Sequence, residues 1–224
     1  MDLSKSYEFF KPEMLNGERV HIIGCGAIGS TVAENLVRYG VKDITLWDFD
    51  CVEPKNIANQ MFRNKDIGKR KTEALADILS DINPDIAECI ELENEGWQGE
   101  ILSGYVFLCP DSIEVRRAIV EKFQNSPYIR GMFDFRMRLT DAQHYAANWE
   151  DKKSIENFLA TMNFSHEEAS EETPRSACNE VLSVNSTIRY IVACGVANFI
   201  NFVKDGAIRK IILADAFDFA VKAM

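Results

Sequence analysis

No Cys-x-x-Cys pair occurs anywhere in the 224 residues, so the thiolate spacing of a structural zinc site is missing and no zinc is expected. The six cysteines, at 25, 51, 89, 109, 178 and 194, are scattered. A disulfide framework does not suit a chain this long and this rich in apolar residues. Histidine is scarce, and His21, His144 and His166 show no metal spacing. Positive charge is short as well: 25 Lys and Arg stand against 35 Asp and Glu, a net charge of −10. Such a surface repels phosphate backbones, which argues against a nucleic-acid partner and suits a basic or polar-tailed protein better. The opening "MDLSKSYEFFKPEM" lacks the basic region, apolar segment and small-residue cleavage site of a secretory signal. No apolar stretch is read as long enough to span a bilayer. A cytoplasmic protein without membrane contact is the expectation. Repeats and low-complexity linkers are absent too.

What is present is ordinary globular composition, 46% apolar and 27% charged, in a length that fits one domain over 1–224. "RVHIIGCG" reads as a buried strand. "AIGSTVAENLVRYG" sets Ile28, Val32, Leu36 and Val37 on one helical face, with Gly40 as a stop. "DITLWDFD" is a second strand, and residues 51–66 are polar and irregular. "KRKTEALADILSDIN" repeats apolar residues at 75, 78, 79 and 82 and ends at Pro84. "IAECIEL" and "GYVFLC" read as strands and "SIEVRRAIVEKFQ" as a helix. Alternating strands and helices imply a largely parallel sheet covered on both faces, an α/β Rossmann-like three-layer sandwich. After residue 127 the pattern changes. "YIRGMFDFRMRLT" and "AQHYAANW" predict an antiparallel C-terminal extension, so the domain divides into a first part (about 19–126) and a second (about 127–224). Residues 163–177 form a long acidic loop, "SVNSTIRYIVACGVANFINFVKDG" one long apolar helix, and "AIRKIILADAFDFAVKAM" one or two closing strands.

The chemistry begins at Gly24-x-Gly26-x-x-Gly29, which follows a strand and opens a helix. Glycines there permit a tight turn and close approach of backbone to phosphate, and the helix N-terminus offers free N–H groups. Asp48 ends the next strand, where an acid can bind ribose hydroxyls. So far NAD and ATP are both admissible. The following stretch, "DFDCVEPKNIANQMFRNKDIGKRKTEAL", gathers Asp48, Asp50, Asn56, Gln60, Lys69 and Lys71 at the carboxyl edge of the sheet. Amides and ammoniums suit a triphosphate and its displacement chemistry, where a nicotinamide would need a flat apolar slot. An NAD-dependent oxidoreductase is left with only the glycine motif and Asp48 in its favour.

The succession Gly24-Cys-Gly-Ala-Ile-Gly29, "LWDFDCVEPKNIANQ" and "DIGKRK" resembles the ThiF/MoeB family, adenylating enzymes related to ubiquitin-activating enzymes. "CPDS" at 109–112, "FDFRMRL" and "TPRSACNEVLSV" extend the likeness, to the small stand-alone ThiF-like proteins of bacteria and phages, over about residues 19–206. The resemblance implies an ATP- and Mg²⁺-dependent adenylyltransferase, a homodimer, acting on the C-terminal glycine of a small ubiquitin-like or sulfur-carrier protein. It implies that Asp48 holds the ribose with Asp50 nearby, and that Gly24, Gly26, Ala27 and Gly29 line the nucleotide. Asn56 and Gln60 would contact phosphates, Lys71 would neutralise the α/β-phosphate region, and Asp111 would hold Mg²⁺. Cys178, beside Arg175, falls where sulfur-carrier activators place an acceptor cysteine. Two family arginines are missing. Asn59 stands at one position, and residues 1–18 hold no match for the other, which leaves Arg63 or Arg70 as replacements. A catalytically reduced member, acting as a nucleotide- or partner-binding module, is the rival expectation.

Overall fold

A computed structural model describes residues 1–165, 167, 168, 174, 176, 177 and 182–224. Among them runs one eight-stranded sheet in the order β3-β2-β1-β4-β5-β6-β7-β8. Its strands are β1 Val20–Ile23, β2 Ile44–Trp47, β3 Glu91–Glu93, β4 Gly104–Leu108, β5 Ile129–Met137, β6 Asp141–Asn148, β7 Ile211–Asp215 and β8 Ala220–Ala223. β3 through β5 pair in parallel and β5 through β8 antiparallel. β5 belongs to both parts: it pairs in parallel with β4 as far as Asp134 and antiparallel with β6 from Gly131 to Met137.

Side chains alternate between two cores, as the pleat requires. Ile22, Phe107, Phe133 and Phe135 face helices α1 (Ala27–Arg38), α2 (Lys71–Ile82) and the 21-residue helix Asn185–Asp205. Ile23, Val106, Leu108 and Met132 face α3 (Ile113–Phe123) and α4 (Lys152–Ala160). The apolar stripe of α1 drives its docking: Ile28, Val32, Leu36 and Val37 are all buried, at about 1.5–3 kcal/mol for each such side chain. Gly40 sits just past its end at φ 86°, the left-handed geometry a helix stop uses.

Three expectations need correction. Of "IAECIEL", only Glu91 and Leu92 are strand, in β3; Pro84–Glu88 winds as a 3-10 turn, capped by Asn83 and anchored by buried Ile86. α4 was not anticipated from the sequence, although Asp151 accepts from the Lys153 N–H at 3.0 Å as its cap and Ile155 and Phe158 are buried. Finally, Asn185–Asp205, here α5, does have the length and hydropathy of a membrane span, a mean of 1.3 over 18 residues. Half of that window is buried: Ile188, Ile191, Val192, Val196 and Phe199 belong to the main core, which makes α5 a core helix of this domain.

His144 is fully buried, with Nδ1 3.1 Å from the Asp134 carbonyl and Nε2 3.2 Å from the Asn198 amide nitrogen. His21 accepts from the Trp47 indole N–H at 3.2 Å. Burial pushes both imidazoles down to about 4. The unfolded chain protonates them below about pH 6.5 and the folded chain does not, so this contribution is complete above that pH and drains away as pH falls toward 4. At pH 5 the loss is about 2 kcal/mol per histidine. An NMR titration checks this: both rings are expected neutral at pH 5, and a midpoint near 6.5 for either contradicts it.

Candidate functional site

The order of strands reverses between β1 and β4: β2 lies on one side of β1 and β4 on the other, with Ile23 opposite both Trp47 and Leu108. The right-handed crossover through α1 covers one face and that through α3 the other, leaving a crevice at the carboxyl ends, where ligands bind in such sheets. The glycine loop stands in this crevice. Asp48 follows β2 on one flank, and the Cys109–Pro110–Asp111 corner follows β4 on the other.

Each motif glycine answers a different physical demand. Gly24 has φ 89°, and a Cβ there would lie 2.8–2.9 Å from the backbone of Cys109 and Pro110. At Gly29 a Cβ would come 1.8 Å from the Gly24 carbonyl oxygen, because α1 packs directly on the loop. Gly26 is unlike both: a Cβ there meets nothing within 4 Å. Gly26 caps α1 with no side-chain hydrogen bond, and the first turn, from Ala27, holds no acid. The first N–H groups and the positive end of the helix dipole therefore face open space sized by a missing side chain, an anion cradle. Gly26→Ala is thus expected to preserve the melting temperature within a few degrees while weakening nucleotide binding at least about tenfold, since the methyl enters the cradle and not the core. Calorimetric ATP titration beside a thermal melt checks it; unchanged binding would remove the phosphate from this loop.

Asp48 is nine-tenths buried and braces the loop. Its carboxylate accepts from the Cys25 N–H at 2.6 Å and the Asp50 N–H at 2.8 Å. Burial raises its carboxyl above the ordinary range, against the opposing pull of Lys71 and of these two N–H groups. Residues 50–52 run antiparallel to 68–71: the Lys71 N–H donates to the Asp50 carbonyl at 3.0 Å, and the Val52 N–H to that of Lys69 at 2.9 Å. That pairing holds the buried Lys71 ammonium 2.6 Å from the Asp50 carboxylate. Lys69 instead pairs with Asp77 at 3.0 Å, and Arg70 donates to the Phe49 carbonyl at 2.7 Å.

The amides play different parts. Asn56 is buried and its Oδ1 accepts from the Glu53 N–H at 2.9 Å, capping a 3-10 turn. Asn59 donates to the Ser183 hydroxyl. Asn59 Oδ1 and Gln60 Oε1 are buried atoms with no partner among the described residues. Arg63 is committed elsewhere: it pairs with the fully buried Asp66 at 2.8 Å and with Asp81 at 2.9 Å. A buried carboxylate left alone costs several kcal/mol, which holds this guanidinium in place.

Asp111 is exposed, with no hydrogen bond or ion pair among the described residues. Ser112, not Asp111, caps α3, accepting from the Val115 N–H at 3.2 Å. No group of three metal-ligating side chains occurs among the described residues. Mg²⁺ bound with a nucleotide takes one or two carboxylates plus phosphate oxygens and water, and a free Asp111 beside the cradle fits that need. Cys178, Arg175 and His166 lie outside the described residues. Of the cysteines that are described, Cys25 is buried and Cys109 half-buried, and desolvation pushes both thiols up. Sequence inspection missed Arg116 and Asp134. An acid and a cation inside apolar runs, "FDFRM" and "EVRRAI", were the available signal.

β1 runs into a three-glycine loop under an uncapped helix, with Asp48 after β2, Asp111 after β4 and Lys71 held by Asp50. Residues 10–203 match the ThiF family. The chain belongs to the ThiF family. Among similar proteins of this ThiF-family chain are two described as ubiquitin-like modifier-activating enzyme 5. That of Dictyostelium discoideum is 36% identical over 123 residues, 48% of this chain and 32% of that protein. That of Arabidopsis thaliana is 42% identical over 67 residues, 30% of this chain and 16% of that protein. The matched segments thus span a third or less of these relatives' length. Among solved structures, E. coli MccB with ATP superposes with a TM-score of 0.68 over 95% of this chain and 65% of its own, at 18% identity. PaaA gives 0.69 over 100% and 68%, at 16% identity. At such identities the likeness is one of fold, and it extends through the antiparallel strands.

Proposed function

We propose that this protein binds ATP in the β1/β4 crevice and uses it to adenylate the C-terminal carboxylate of a small protein or peptide. The observation that carries this is the Gly26 cradle: an uncapped helix N-terminus facing unfilled space, with Asp48 on one flank, Asp111 on the other and Lys71 behind it. Two kinds of relative support it by name: those described as activating a ubiquitin-like modifier, and MccB, crystallised with ATP and with MccA.

In this reaction a carboxylate oxygen attacks the α-phosphorus; the new C–O–P linkage forms as the bond to pyrophosphate breaks, and pyrophosphate leaves with the electron pair. Two anions must meet, so catalysis rests on positioning and charge neutralisation. Asp48, already braced by two N–H donors, accepts from the ribose hydroxyls. The N–H groups that open α1 receive the phosphates. Lys71 exchanges its Asp50 partner for phosphate oxygens, which an ammonium on a flexible stem can do. Mg²⁺, when bound, spreads the negative charge of the triphosphate, and Asp111 is the residue that would hold it.

A further transfer of the acyl group to Cys178 belongs to the same proposal and rests on the family likeness. A second reading, a partner-binding module without adenylation, is favoured by Asn59 at the family's arginine position and by the capture of Arg63 by Asp66 and Asp81. Mg²⁺-dependent ATP–pyrophosphate exchange separates the two, with candidate carriers ending in glycine added in turn. Adenylation predicts exchange that requires the terminal carboxylate and falls about a hundredfold in Asp111→Ala. Cys178→Ala should leave that exchange intact while abolishing any thiol-sensitive carrier adduct. ATP binding without exchange, across all carriers, would favour the module.

A further inference from the structure

Arg116 sits in the first turn of α3 and is buried, yet its guanidinium bonds to nothing on its own helix. Its guanidinium is divided among the ends of two strands. Nε donates to the Pro110 carbonyl at 2.9 Å, and Nη2 donates to the same oxygen. Nη1 reaches the Phe135 carbonyl at 2.6 Å, the Leu108 carbonyl at 3.4 Å and the Asp134 carboxylate. Asp134 is fully buried, and its other oxygen accepts from Arg136 Nε at 2.6 Å. Arg136 in turn donates to the carbonyl of Thr161 at 2.6 Å and to its hydroxyl at 2.9 Å. The doubly held oxygen is the one that matters, because the Pro110 carbonyl is part of the peptide whose nitrogen belongs to Asp111. On the other side, Gly24 comes so near that a Cβ on it would lie 2.8–2.9 Å from the backbone of Cys109 and Pro110.

We infer that Arg116 is a positioning residue: it fixes the plane of the Pro110–Asp111 peptide and so the point from which the Asp111 carboxylate reaches into the crevice. This rests on the reading of Asp111 as the Mg²⁺ ligand. Asp111 has no hydrogen bond of its own among the described residues to set its direction, and α3 is capped by Ser112. The place of its Cα, and so the reach of its carboxylate, is therefore inherited from the peptide before it. A flat five-donor fork can serve four acceptors at once; an ammonium cannot. Asp134 anchors the fork, with its own charge balanced by Arg116 and Arg136 together.

The test is binding of Mn²⁺–ATP, followed by water proton relaxation, alongside thermal melts. Arg116→Lys keeps the positive charge beside Asp134 and gives up the double hold on Pro110. Its expected effect is a loss of Mn²⁺–ATP affinity of about tenfold or more, the usual consequence of removing a group that orients a metal ligand. Adding Asp111→Ala to Arg116→Lys should then cost little beyond Asp111→Ala alone, because both changes remove one interaction. Asp134→Asn, which unfastens the fork more gently, should shift affinity in the same direction and supplies the test if Arg116→Lys does not fold. Arg117→Lys is the control: the neighbouring arginine donates to the Met162 carbonyl at 3.1 Å and to that of Phe164, away from the corner, and should leave Mn²⁺–ATP binding unchanged. The inference is overturned if folded Arg116→Lys, or Asp134→Asn in its place, binds Mn²⁺–ATP like the unaltered protein. It is equally overturned if the losses from Arg116→Lys and Asp111→Ala multiply. If Asp111→Ala alone leaves binding unchanged, the metal role of Asp111 fails and Arg116 loses its object.

Discussion

Lys71→Ala is expected to lower ATP–pyrophosphate exchange at saturating ATP by about 10²- to 10³-fold, the typical loss when one prepositioned charge donor is removed from a displacement reaction. Lys71 is buried and its ammonium is held 2.6 Å from Asp50, so the cation is in place before any substrate arrives. Removing it leaves a site containing Asp48, Asp50 and Asp111 to receive a polyanion. The fold should survive, because Asp50 is half exposed and water can take over its partner. Asp48 should respond: Lys71 opposes the rise that burial imposes on that carboxyl, and without the lysine the rise grows. Exchange kinetics, a melt and the Asp48 carboxyl signal by NMR measure the three parts. Exchange within a few-fold of normal would remove Lys71 from the reaction.

Gly29→Ala is expected to damage the fold itself. A Cβ at this position would lie 1.8 Å from the Gly24 carbonyl oxygen and 2.9 Å from its carbon, with the Ile22 side chain at 3.2 Å. Both sides of the clash are backbone, so no rotamer relieves it. Helix α1 must lift from β1 by more than an ångström, over a core in which Ile22, Val32 and Leu36 have no exposure. Overpacking of this kind costs about 4 kcal/mol or more, roughly 10 °C in melting temperature for a domain this size. Gly26→Ala, three residues earlier in the same motif, is expected to leave the melt alone. Equal melts for the two variants would show that α1 does not pack on the loop as described.

The two glycines also show where sequence and structure divide the information. The spacing Gly24-x-Gly26-x-x-Gly29 after an apolar strand is local, and local pattern sufficed to place a glycine turn between strand and helix, because turn, strand and helix signals all fall within ten residues. Periodicity likewise placed α1, α2, α3 and α5, since the buried stripe of a helix repeats every three to four residues whatever it packs against. Which glycine makes room for a ligand and which makes room for a helix depends on the strand beside it, and only the assembled sheet decides that. The same holds for Arg63: its nearness in sequence to the missing family arginine made it a candidate replacement, whereas the structure ties it to Asp66 and Asp81. Burial of Asp66 is a long-range property with no mark in its neighbours. "KKSIENFLA" gave too short a stripe to stand out, and α4 forms because β6 and α3 offer its Ile155 and Phe158 a place to bury.

Arg116 is the furthest case. Nothing within ten residues of it names a partner other than the β4 end; its decisive contacts with Asp134 and Phe135 are 18 and 19 residues away, on a strand that meets β4 only in the finished sheet. The chain's own residues spelled out the glycine loop, Asp48 after the second strand, a cluster of amides and ammoniums and the α/β alternation, because hydrophobic period, glycine freedom and charge type act locally; Asp111 stood out only through the family resemblance. The tertiary structure chose which side chains face the crevice and which are occupied elsewhere, because burial, and the need of every buried charge for a partner, act between strands far apart in sequence.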